Sequence, residues 1–186
     1  FVVVAGLLYG MGMIGLIQST DAREGLKLAW MPVAILILSI WALNGPLRSP
    51  VDDATLLYDE ESAYNYIQVP EDAEGYRYLY LNEGLGIHSI WHPTDFSYDG
   101  TWDIFLAAPF FNQPPYQPSD MESLLVIGLA AGTIPRQHIH VYGDIPMGGV
   151  EIDPEIIDAA AEYFDMNTTE MPSLNVYAQD GRYVLN

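Results

Sequence analysis

Three carboxylates and a run of small residues in the last third of the chain have the makings of a ligand cradle. Gly128-x-Ala130-x-Gly132 follows a short apolar run, Leu124 to Ile127, and precedes a helical pattern. Small residues in that context let a backbone approach a ligand closely. Thr133 is placed to cap the helix and Pro135 to sit in its first turn, which predicts free N–H groups facing a cofactor. Glu151 comes twenty-three residues after Gly128, at the end of the next strand-like run, where a carboxylate can accept both hydroxyls of a ribose. Asp153-Pro154 then opens a second helix over Pro154 to Phe164, with Asp153 serving either as its cap or as a ligand group. Leu174 to Ala178 reads as a third strand. Asp180-Gly181-Arg182 stands at its carboxyl end, where open α/β sheets bind ligands and where Asp180 can accept from an adenine amino group.

Other chemistries find no support. His88 and His92 are four apart across a strand and a Pro-bounded turn, and His138 and His140 are two apart on a helix, so neither pair shares a face and no metal is expected. The triplet Asp59-Glu60-Glu61 lacks the glycine turn of a calcium loop and reads as a solvated turn. With no cysteine, disulfides and thiolate metal sites are excluded. The formal charge of −19 repels phosphate backbones, so nucleic acid is not an expected partner. Beyond Val51 the only basic residues are Arg77, Arg136 and Arg182, against 23 acidic ones.

The elements that must position this cradle are read from the rest of the chain. Residues 120–186 read as a nucleotide-type α/β domain of alternating strands and helices. Residues 112–119 carry three prolines and read as a linker. Residues 52–111 read as a small antiparallel β domain, with strands over Ser62 to Val69, Tyr76 to Leu81 and Ile87 to Trp91, then a helix over Trp102 to Phe110. Residues 1–47 hold two uncharged apolar runs, 1–19 and 28–43, and the first would span roughly 28 Å as a helix. They predict a transmembrane hairpin, with Gly6 and Gly10 spaced for close helix contact. The lipid bilayer and other membrane subunits are then the expected partners and the bacterial cytoplasmic membrane the expected location. Arg23 and Lys27 in the hairpin loop, against Arg48 beyond it, lean the soluble part to the outer side. A chain that opens inside an apolar run without an initiator Met is expected to be a piece of a longer protein.

The blocks Glu61-Ser62-x-Tyr64-x-Tyr66-Ile67-x-Val69, Leu81-Asn82-Glu83-Gly84, Leu125 to Thr133, Val150-Glu151-Ile152-Asp153-Pro154, Tyr163-Phe164 and Asp180-Gly181-Arg182 resemble, in order and spacing, the spermidine synthase (polyamine aminopropyltransferase) family in its membrane-anchored bacterial branch. The resemblance covers about Thr55 to Asn186. It implies a β-hairpin domain followed by a Rossmann-like fold of the class I methyltransferase type. It also implies decarboxylated S-adenosylmethionine as donor, a polyamine-type acceptor, Gly128, Ala130, Gly132, Asp153 and Gly181 around the donor, Glu151 on its ribose and Asp180 near its adenine. Tyr64, Asn65 and His88 fall at positions that resemble the family's substrate-binding ones, with Asn65 and His88 standing where the family has glutamine. Ala131 stands where the family's loop carries an Asp that holds the donor's amine, and Thr101-Trp102-Asp103 where it carries Tyr-His-Glu. The family's general-base Asp lies on the next strand, beyond Asn186. Two rivals go with this reading: a non-catalytic accessory subunit of a membrane assembly, and methyl transfer from S-adenosylmethionine on the same cradle.

Overall fold

The computed structural model describes residues 54–82 and 86–184, together with helical residues at 6, 9–12, 14–15, 18, 34–35, 37–38 and 40. Contacts divide the chain into two units, Phe1–Ser49 and Pro50–Asn186. The two transmembrane spans expected over 1–19 and 28–43 lie largely outside the described residues, as do Glu83 and Gly84 of the Leu81 to Gly84 block. Crossing a bilayer takes about twenty consecutive apolar residues in one helix. Among the described residues no helix is long and apolar enough to do so. The expected location in the bacterial cytoplasmic membrane is corrected on that finding, and nothing among the described residues supports bilayer or membrane-subunit partners. Around Gly6 and Gly10 a Cβ would meet nothing within 4 Å, so no close helix contact forms at them among the described residues.

In the second unit, four strands pair antiparallel in chain order: β1 (Thr55–Glu61), β2 (Tyr66–Glu71), β3 (Arg77–Leu81) and β4 (Ile87–Trp91). Side chains make the turns. The Ser62 hydroxyl accepts from the N–H groups of Tyr64 (3.0 Å) and Asn65 (2.8 Å). A strand starting at Ser62 is therefore replaced by a turn, and β2 begins at Tyr66. Asp72 Oδ1 closes the next turn by accepting from the N–H groups of Glu74 (3.1 Å) and Tyr76 (2.9 Å). The acidic triplet read as a solvated turn is instead the end of β1, with Asp59, Glu60 and Glu61 opposite Gln68, Ile67 and Tyr66. β1 is an outer strand of its sheet, where Glu60 and Glu61 reach water and discourage further pairing.

The helix expected over Trp102 to Phe110 stops early as α1 (Thr101–Phe105), followed by a 3-10 turn, Ala108–Phe111. Pro109 is the cause: an α-helix through it would set its ring against the Phe105 carbonyl. Then β5 (Leu124–Ile127), α2 (Thr133–Tyr142), β6 (Met147–Glu151), α3 (Pro154–Tyr163) and β7 (Leu174–Ala178) alternate. The three strands form a parallel sheet in the order β5-β6-β7. Alternation of strand and helix with parallel pairing is the α/β arrangement that the apolar runs predict.

The two sheets share one core. Ile67, Val69, Leu79 and Trp91 of the antiparallel sheet join Val126, Leu129, Ile156, Ala160 and Phe164 in a single buried cluster. Trp91 is flanked by two guanidinium groups, Arg77 at 4.4 Å and Arg136 at 5.2 Å from its ring. Arg77 also donates to Glu71 (2.6 Å) and to the Tyr163 carbonyl (2.8 Å), and Arg136 to the His92 carbonyl (2.7 Å). Two of the three basic residues beyond Val51 thus serve packing between the sheets.

Candidate functional site

The Gly-x-Ala-x-Gly spacing has a backbone cause. Gly128, Ala130 and Gly132 are all left-handed, with φ of +78°, +51° and +78°. Glycine adopts this region freely, whereas Ala130 bears some strain. A Cβ on Gly128 would meet nothing within 4 Å, which leaves open space over the loop. Along one side of Gly128 runs a mainly apolar cavity of about 430 Å³, lined by Trp102, Phe105, Leu125, Ile127 and His138 among others.

The N–H groups of the loop itself are bonded within the protein. Gly128 and Leu129 both donate to the Val150 carbonyl (2.9 Å each) and Gly132 to the Leu129 carbonyl (3.2 Å). Ala130 donates to Glu151 Oε2 (3.0 Å) and Ala131 to the Ser89 hydroxyl (2.9 Å). Thr133 does not cap α2; Gly132 occupies the cap position without a side-chain bond. The Thr133 hydroxyl instead accepts from Ile90 N–H (3.0 Å) and donates to the Ile90 carbonyl (2.9 Å). β4 thereby clamps the loop through Ser89 and Ile90, a long-range arrangement with no local signal.

Glu151 ends β6 almost buried, 8% exposed. Its Oε1 accepts from the N–H groups of Ile152 (2.9 Å) and Asp153 (3.2 Å), and its Oε2 from Ala130. A carboxylate offers about four lone-pair positions, so one remains. Asp153 is wholly buried and caps α3 by accepting from Glu155 N–H (3.2 Å). Its other oxygen accepts from Ser62 (2.6 Å) and from Asn65 Nδ2 (2.9 Å).

Beyond β7, Asp180 caps a 3-10 turn, Gly181–Tyr183. Hydrogen bonds from Arg182, side chain first and backbone second, lower the Asp180 carboxyl to about 2. The Arg182 side chain is 87% exposed and the Asp180 side chain 22% exposed. Gly181 presses on β5: a Cβ there would lie 2.4 Å from Ile127 Cγ2. Gln179 N–H donates to the Glu151 carbonyl (2.9 Å). The ends of β5, β6 and β7 therefore gather Gly128, Ala130, Gly132, Glu151, Asp153, Asp180 and Gly181 at one edge of the sheet.

The remaining expected residues fall less centrally. Asn65 reaches the cradle through Asp153. Tyr64, beside it, is 55% exposed, and His88 is exposed on β4, next to Ser89. Among the other histidines, His92 stacks on Tyr76, His140 on Phe96, and His138 is buried. Two contributors carried no assignment from sequence. Ser62 is one, with a motif position but no evident role. Gly149 is the other: a Cβ there would lie 2.5 Å from Leu129 Cδ2, so the loop packs directly on β6 backbone. A glycine inside a strand is the signal for such an approach.

No protein-family model matches the chain. Over 130 residues it is 33% identical to a probable polyamine aminopropyl transferase of Bifidobacterium longum (strain NCC 2705), covering 70% of this chain and 27% of that protein. Among solved structures, a probable spermidine synthase from Corynebacterium glutamicum ATCC 13032 superposes with a TM-score of 0.56 at 20% identity, covering 73% of this chain and 47% of the other. Spermidine synthase from Thermotoga maritima gives a TM-score of 0.52 at 20% identity, covering 69% and 42%. A spermidine synthase in complex with the transition state analogue AdoDATO matches with the same values. At this identity the superpositions carry the fold. The chain spans about a quarter of the curated relative and under half of the solved structures. These likenesses do not support a membrane-anchored branch. The chain is thus similar in sequence to a probable polyamine aminopropyl transferase and shares the fold of the spermidine synthases.

Proposed function

We propose that the strand-end cradle holds an S-adenosyl-type donor, decarboxylated S-adenosylmethionine or S-adenosylmethionine, for transfer to a polyamine-type amine. The observation that carries this reading is the polarity of the cradle. The loop from Gly128 to Gly132 has its N–H groups committed internally, and carboxylates of Glu151 and Asp180 face the strand ends. A dinucleotide pyrophosphate needs donors at that place and is repelled by these acids. A nucleoside with hydroxyl donors and a cationic sulfur suits them.

When bound, the donor supplies an alkyl group on an activated sulfur. The open position on Glu151 takes one ribose hydroxyl, and the second competes with Ala130 N–H for Oε2. Asp180 accepts from the adenine amino group as Arg182 turns toward water. Gly128 leaves room for the nucleoside over the loop, Ala130 and Gly132 shape that loop, and Gly181 keeps the Asp180 turn against β5. Asp153 supports Glu151 from behind. Tyr64 and His88, both exposed, are the side chains this reading offers to an amine acceptor.

Calorimetric titration with decarboxylated S-adenosylmethionine, S-adenosylmethionine and methylthioadenosine tests the reading. Binding of at least one, weakened in Glu151→Gln and in Asp180→Asn, is the expected result. No binding of any of the three would overturn it.

Ala131 favours a second reading, adenosyl binding without aminopropyl transfer. Its side chain is 2% exposed and apolar, so this position offers no carboxylate to a donor amine. Equal affinity for S-adenosylmethionine and its decarboxylated form, with no aminopropylated product, would favour this second reading over the first.

A further inference from the structure

Burying a carboxylate is costly unless both of its oxygens are hydrogen-bonded. Asp153 is 0% exposed, and the three donors that meet it are neutral: Glu155 N–H, Ser62 Oγ and Asn65 Nδ2. A helix cap needs only the first of these. The other two come from the β1–β2 turn, distant in the chain. They tie the antiparallel sheet to the end of β6.

The tie continues in both directions. Asn65 Oδ1 accepts from Asn82 Nδ2 (2.9 Å), and Asn82 Oδ1 accepts from Tyr66 N–H (3.2 Å). With a donor on one side and an acceptor on the other, the amide of Asn65 has one consistent orientation. On the far side, Asp153 N–H donates to Glu151 Oε1 and Ala130 N–H to Glu151 Oε2. An unbroken series of hydrogen bonds thus runs from Asn82 through Asn65, Asp153 and Glu151 to the glycine-type loop.

We infer that Asn65 and Ser62 are positioning residues for Glu151, acting through Asp153 rather than by touching the ligand. This rests on the reading that Glu151 receives the ribose, and it makes the β1–β2 turn the element that sets the selectivity of the cradle for the ribose diol. If the turn lets go, Asp153 shifts, its N–H no longer holds Oε1, and the Glu151 carboxylate loses the orientation that a pair of hydroxyls needs.

The test is calorimetry with two probes, methylthioadenosine and its 2′,3′-dideoxy analogue, which lacks the diol. The wild-type chain prefers methylthioadenosine. Asn65→Leu and Ser62→Ala each cut that preference about fivefold to tenfold, on the scale of one ordinary hydrogen bond, while affinity for the dideoxy probe stays within about twofold. Asp153→Ser keeps a capping oxygen but is too short to reach Ser62 and Asn65. In that background Asn65→Leu has no further effect, whereas direct contact between Asn65 and ribose would make the two losses multiply. Ser62→Ala removes only a hydroxyl, so the test stands even if Asn65→Leu unfolds. Multiplying losses, unchanged preference in both single variants, or equal loss for both probes would each overturn the inference while leaving nucleoside binding intact. A wild-type chain that binds neither probe would overturn the cradle reading itself, and this inference with it.

Discussion

Replacing Glu151 by glutamine isolates the charge at the end of β6 with almost no change of shape. The carboxylate takes three backbone N–H groups, two on Oε1 and one on Oε2. Glutamine keeps one acceptor oxygen. Its better orientation serves Ile152 and Asp153 and turns the amide NH2 toward the N–H of Ala130, donor against donor. One charge-assisted bond is lost, at about 1.5 to 3 kcal/mol, and two others become neutral and weaken. Glu151 is only 8% exposed, so solvent replaces little of this. The total comes to about 2 to 4 kcal/mol, or a fall in Tm of roughly 5 to 15 °C for a unit of this size. Thermal unfolding followed by circular dichroism reads it directly. A Glu151→Gln chain as stable as wild type, or more so, would refute the reasoning: desolvation and repulsion from Asp153 would then outweigh the three bonds.

Other perturbations test separate parts of the structure. Gly149→Ala drives a Cβ into Leu129 beneath the loop and should cost about 1 to 3 kcal/mol of stability by urea titration; an unchanged midpoint would mean that Leu129 repacks freely. Thr133→Val removes both bonds to Ile90 and should lower stability by about 1 to 2 kcal/mol, with faster amide exchange at Ile90 than in wild type. Burial lowers the pKa of His138 below its usual value, although the Ile134 carbonyl opposes the shift. A depressed histidine contributes stability above its unfolded pKa, about 6.5, and loses it as pH falls below that. Melting temperature should therefore drop from pH 7 to pH 5 more steeply in wild type than in His138→Phe; parallel curves would contradict this.

Legibility in the sequence followed the range of the forces. β5 and β7 are found where the apolar runs Leu124 to Ile127 and Leu174 to Ala178 predict them, because each run is bounded by turn residues. α3 starts where Asp153-Pro154 predicts, since a cap and a proline at the first helical position act within one turn. β1 escaped detection because Asp59, Glu60 and Glu61 look like a turn, and only pairing with β2 makes them strand. Pro109 was a local signal for the end of α1 that the apolar pattern around it masked. The internal closure of the glycine-type loop was not legible at all. It depends on Ser89, on Ile90 with Thr133, and on Glu151, which lie far apart in the chain and meet only when the two sheets share a core. The apolar runs 1–19 and 28–43 lie largely outside the described residues, among which no helix is long and apolar enough to cross a membrane.

The central claim is that the ends of β5, β6 and β7 form one nucleoside cradle. A titration of the isotopically labelled protein with methylthioadenosine, followed by amide chemical shifts, tests it most directly. The largest changes are expected on 128–132, on Ile152 and Asp153 and on Asp180 and Gly181, with Asn65 following as its bond to Asp153 adjusts. Changes confined to the separate cavity lined by Tyr76, Tyr78, Asp95 and Tyr98, or no changes at saturating nucleoside, would contradict it.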